Sequence, residues 1–124
     1  MEGLIGITAK IIIALVALEH IYILWLEMFA WETKGKETFK SLPAHLFKET
    51  KTLAANQGLY NGFLSAGLIW SLYISDVIWQ SQVALFFLGC VFIAGVYGSA
   101  TAGKSIFYKQ AVPALVGIIL VLLS

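Results

Sequence analysis

Arginine is missing from this chain: all eight cationic side chains are lysines. That removes the planar guanidinium fork best suited to carboxylates and phosphates, and with it an anionic ligand such as glutathione or a phosphate. Charge of either sign is scarce. Only 12% of the residues are charged, about half the share of a soluble domain, and the formal net charge of +1 offers nothing to a nucleic acid. The single cysteine, Cys90, lies in an apolar run, so it forms no internal disulfide and reads as a small packing residue. No internal repeat, low-complexity tract or domain boundary interrupts residues 1–124, which read as one domain.

Apolar residues are abundant, at 60% of 124 residues, more than a soluble domain of this size could bury. They fall in four runs, at about 11–31, 53–75, 80–101 and 106–124. Each is near the ~20 residues a helix needs to cross hydrocarbon. The runs are long and do not alternate, which excludes membrane strands. The expected fold is therefore all-α, an integral membrane four-helix bundle, multi-pass in the cell membrane, with the lipid bilayer as its first partner. The first run reads as a span rather than a signal peptide, because Glu19 and Glu27 interrupt it and no small-residue cleavage site follows.

Lysine sets the expected orientation. Lys34, Lys36, Lys40, Lys48 and Lys51 follow the first run, and Lys104 and Lys109 follow the third. Only Lys10 lies on the opposite side. The positive-inside rule places both linkers in the cytoplasm and both termini outside. Trp70, Tyr73 and Trp79 would then form an outer aromatic belt, with Trp31 at the inner face. The long linker, 32–52, spaces Phe39, Leu42, Leu46 and Phe47 among lysines, as an amphipathic segment on the inner leaflet would; Pro43 starts or breaks a helix there. His45, in the same linker, reads as a solvated interfacial residue.

Against this apolar background the polar residues are conspicuous. Glu19, His20 and Glu27 sit in the first run, where each charge costs a few kcal/mol on insertion scales. His20 and Glu27 are seven apart and share a helix face, with Glu19 turned about 100° from His20. The second run opens on Asn56, Gln57, Tyr60 and Asn61, paired at i, i+4 beside Gly58 and Gly62. Counted inward from the linker ends, Glu27, Gln57, Tyr97 and Gln110 fall in one layer, roughly 6 Å deep. Glu19, His20 and Asn61 lie deeper. Beyond them the runs are nearly all apolar, Ser65 being a small exception of the kind that bonds to its own helix. Pro113 is expected to free a backbone carbonyl near Lys109. The arrangement predicts a polar pocket open to the cytoplasm and closed above, with Glu27, His20 and Glu19 as acid–base groups and Asn56, Gln57, Tyr60, Asn61, Tyr97 and Gln110 as ligand-binding groups.

A buried carboxylic acid beside a histidine can pass a proton near neutral pH. Such a pair serves a proton-coupled carrier of a small neutral or cationic ligand. It serves equally a membrane enzyme doing an isomerase-type proton shift on an amphipathic substrate. The plainer alternative is an accessory subunit whose polar groups only pair helices, although interhelical hydrogen bonds average under ~1 kcal/mol and explain two acids poorly. No metal site is expected: no second histidine or cysteine lies near, and zinc or iron would need helices paired across an oligomer. The residues imply no particular cofactor. Four helices leave a pocket wall open, so a homo-oligomer is expected.

The segments "LEHIYILWLEMFAW", "NQGLYNGFLSAGL", "YGSAT" and "KQAVPALVG" resemble a bacterial domain-of-unknown-function family, number thirteen-oh-four. The resemblance covers nearly the whole chain and implies small membrane proteins of four helices. Its pattern matches Glu19, His20, Glu27, Asn56, Gln57, Tyr60, Asn61, Gly98, Gln110 and Pro113. Some members carry an epimerase label without support, and the resemblance implies no established reaction.

Overall fold

A computed structural model describes residues 3–124, and among them every regular element is helical. The helices are α1 (Leu4–Phe29), α2 (Lys34–Thr38), α3 (Leu46–Glu49), α4 (Lys51–Tyr73), α5 (Val77–Thr101) and α6 (Val112–Leu123), with a π-helical turn, Phe107–Ala111, leading into α6. The fold is all-α. Helices α1 and α5 are each long and apolar enough to cross a membrane; α1, at 26 residues, spans about 39 Å. Only 33% of the most apolar window of α1 and 28% of that of α5 is buried, so most of their apolar surface faces outward.

The long helices pack as a ring. Helix α1 lies against α4 and α6, and α5 lies against the same two. A short turn between α4 and α5 makes that pair antiparallel. Asp76 caps α5 by accepting from the Trp79 N–H at 2.9 Å, and the Gln80 side chain donates to Ser71 O at 3.1 Å, covering a carbonyl at the end of α4. Trp70, Tyr73 and Trp79 are exposed around this turn.

The expected fourth run, 106–124, is not one regular helix. Pro113 has no N–H for the preceding turn, and the chain ahead of it widens into the π turn. The carbonyl expected to be freed near Lys109 falls inside that turn. Gly95 brings α5 close to it: a Cβ at Gly95 would lie 2.6 Å from the Ala111 backbone nitrogen.

The apolar core occupies the half of the ring that holds both chain ends. Ala9, Ile13, Val16 and Ala17 of α1 meet Leu68 of α4, Leu88 and Val91 of α5 and Ala114 of α6 there. At the other end the 30–50 linker folds on itself. The Trp31 ring packs 5.3 Å from Phe39 and 4.8 Å from Phe47, and its indole N–H donates to Thr50 Oγ1 at 3.0 Å. Phe47 is 1% exposed. The linker was expected to present Phe39 and Phe47 to a leaflet; instead they close around Trp31, while Lys34, Lys36, Lys40 and Lys48 stay outside. Helices of five and four residues are too short to sustain an amphipathic face alone, and the Trp31 ring offers both phenylalanines an apolar contact. His45 is exposed.

Candidate functional site

The inward face of α1 runs through Ala9, Ile13, Val16, His20 and Glu27, at steps of three, four or seven residues. The apolar core therefore gives way, on one continuous stripe, to a histidine and then a carboxylate.

Glu27 is 5% exposed, and its Oε1 accepts from Asn61 Nδ2 of α4 at 2.7 Å. The same nitrogen donates to Gln57 O at 3.2 Å, so the amide serves both its own helix and its neighbour. Gly58 permits the approach. A Cβ there would lie 2.7 Å from Met28 Cγ, 3.0 Å from Glu27 Cβ and 3.2 Å from Leu24 O. One turn beyond Asn61, Ser65 donates its hydroxyl to Ala17 O on α1 at 2.8 Å. Asn61 and Ser65 thus stitch α4 to α1 on either side of His20.

His20 is fully buried. Its Nδ1 lies 2.9 Å from Val16 O, a geometry in which Nδ1 carries the proton and donates. In the neutral ring Nε2 is then an acceptor, and it is buried without a hydrogen-bond partner among the described residues. Glu19 Oε1, 3.9 Å from Nδ1, is also buried without one. A buried acceptor left without a donor costs about 1–3 kcal/mol, so two adjacent ones are an expensive arrangement for packing alone. The Glu19 side chain is 33% exposed overall, and Lys109 on the π turn stands within its electrostatic reach.

The other expected residues do not converge on this line. Asn56 is exposed and bonded to its own helix at Thr52 O, 2.9 Å away. Gln57 is exposed, Tyr60 is 62% exposed beside Phe63, and Tyr97 is 70% exposed. Gln110 is partly buried on the π turn. Equal depth did not mean a shared layer, because depth says nothing of rotation about the helix axis. Helix α4 turns Ala54, Gly58, Ser65 and Leu68 inward, which leaves Gln57 and Tyr60 to the outside. Glu27 and His20, two turns apart, are separated by about 10.5 Å along the axis and do not grip one small ion together. Two groups were read differently from the sequence. Lys109 counted only as an orienting charge, and Ser65, expected to bond to its own helix, instead donates to Ala17 O of α1; it stands four residues from Asn61 and so on the same face. A cavity of about 30 Å³ near Lys10, Gln80 and Ser124, and an open apolar groove of about 340 Å³ between Trp70, Trp79 and Phe86, both lie away from these residues.

The profile of a family described as "Protein of unknown function (DUF1304)" matches residues 14–122. A curated relative, the "Uncharacterized protein YpaA" of Lactococcus lactis subsp. lactis (strain IL1403), is 34% identical over 113 residues, covering 85% of this chain and 88% of its own length. No solved structure is significantly similar.

Proposed function

The chain belongs to the DUF1304 family of proteins of unknown function, and from its site we propose a multi-pass membrane carrier that binds a small neutral or cationic ligand and couples its passage to a proton. The reading places four helical spans in the cell membrane, with the lysine-rich linkers in the cytoplasm. Its support is the inverted distribution of polarity: Leu4, Leu15, Leu18, Phe86, Ile93 and Leu122 are exposed, whereas His20 and Glu27 are buried. The observation that carries the functional part is His20, fully enclosed yet with an acceptor nitrogen that no group of the described chain satisfies. A group held so is available to a ligand and to a proton. The apolar core beyond it suits a site that opens to one side at a time. Asn56, Gln57 and Tyr60 make an exposed polar strip on α4, which we assign to contact with a second copy of the chain.

The test is solute-driven proton movement. The protein is reconstituted in vesicles holding a pH dye and challenged with a panel of neutral and cationic solutes. Wild type is expected to move protons with at least one solute, and Glu27→Gln to lose that movement while remaining folded. The short Glu27–Asn61 bond favours a second reading, in which the carboxylate only pairs helices. On that reading no solute moves protons above protein-free vesicles, and Glu27→Leu, which removes the acceptor for Asn61, lowers stability instead.

A further inference from the structure

Among the described residues, the α4 side chains that donate to the α1 stripe are committed. Asn61 places its amide nitrogen on Glu27 Oε1 and Gln57 O, and Ser65 gives its only proton to Ala17 O. His20 Nδ1 is held by Val16 O, leaving Nε2 as an acceptor, and the neighbouring Glu19 Oε1 is a second acceptor without a bond. Two buried acceptors without a hydrogen-bond partner among the described residues select a particular kind of guest. A hydroxyl would bring lone pairs of its own that need donors. A protonated amine brings N–H donors, no lone pair and a charge that the carboxylate can balance.

We propose that the ligand of this site is a small protonated amine, donating an N–H to His20 Nε2 with its charge set against the Glu19 carboxylate. The proposal rests on the carrier reading above and narrows its ligand class. It also gives Lys109 a role. This lysine rides on the π turn within electrostatic reach of Glu19, so it is a tethered cation that a bound amine must compete with.

The experiment uses the whole chain in lipid nanodiscs with ¹⁵N-labelled histidine, titrated with methylammonium chloride and, separately, tetramethylammonium chloride. The second ion has the charge without a donor. Exposed His45 is the internal control. Methylammonium is expected to shift the His20 Nε2 resonance saturably, tetramethylammonium to leave it unmoved, and His45 to respond to neither. Glu19→Gln, whose side chain is partly exposed, should weaken methylammonium binding about tenfold, and Lys109→Gln should tighten it about fivefold. A shift with both ions would mean that charge alone is read and would overturn the donor assignment. No shift with either would overturn the amine site altogether. If a non-amine solute still drives protons in the vesicle assay, the carrier reading survives that loss, so the two failures are distinct.

Discussion

Asn61 divides the donors of one nitrogen between two helices, toward Glu27 on α1 and Gln57 O on its own α4. Asn61→Leu keeps the size of the side chain and removes both bonds, leaving the Glu27 carboxyl buried without its partner. The expected loss is about 1–2 kcal/mol in a reversible unfolding assay in micelles or bicelles. Glu27→Gln retains an acceptor for Asn61 and should lose less than about 1 kcal/mol, so the order of the two variants is itself the check. At this scale the sequence was informative where helical spacing alone decides. His20 and Glu27, seven apart, do share the buried face. It misjudged Ser65, expected to bond to its own helix as a helical serine readily does; the closeness of Ala17 O turns the hydroxyl to α1 instead.

Helices meet here through small residues, and the glycines are not equivalent. Gly95 of α5 faces the π turn, where a Cβ would lie 2.6 Å from the Ala111 backbone nitrogen and 2.9 Å from its Cβ. Neither atom can swing aside, so Gly95→Ala should separate α5 from α6 and cost about 1–3 kcal/mol. Gly89, on the same helix, would find nothing within 4 Å of a Cβ, and Gly89→Ala should be neutral or stabilise by up to about 1 kcal/mol. Equal effects on the melting temperature would contradict this packing. The linker offers a second case. Trp31→Ala removes the ring on which Phe39 and Phe47 close and the bond to Thr50. Trypsin should then cut at Lys36, Lys40 and Lys48 roughly tenfold faster, equivalent to about 1.4 kcal/mol of local stability. The helical runs were legible from apolar length and the freed carbonyl before Pro113 from a missing N–H, but the π turn that interrupts the fourth run was not. The folded linker was not, since three aromatics among lysines fit a leaflet as well as they fit one another.

For the whole molecule, topology is the quantity to measure. In a Cys90→Ala background, Ser41→Cys in the linker and Ser75→Cys in the α4–α5 turn are both exposed positions. An impermeant thiol reagent added to intact cells should label Ser75→Cys and spare Ser41→Cys until the membrane is opened. Labelling of both from outside, or of neither, would remove the four-span orientation and the cytoplasmic mouth with it. On the proposed topology one crossing, by α4, a helix of 23 residues and about 35 Å, lies between the two sites.

Composition and run length by themselves determined that the chain is helical and unusually apolar, because backbone groups away from water must be satisfied within their own segment. The motifs carried the family, and the lysine distribution supplies an expected direction that the thiol labelling tests. Rotation belonged to the tertiary structure alone. Gln57 and Tyr97, expected in one layer with Glu27, are exposed, as is Tyr60, whereas Glu27, His20 and Ser65 are buried and Asn61 is turned to Glu27. The reason is physical: depth follows from a rise of about 1.5 Å per residue, which any helix obeys, whereas the direction a side chain takes around the axis is set by which small residues let a neighbour come close. Here Gly58 beside Glu27 and Gly95 beside Ala111 made that decision.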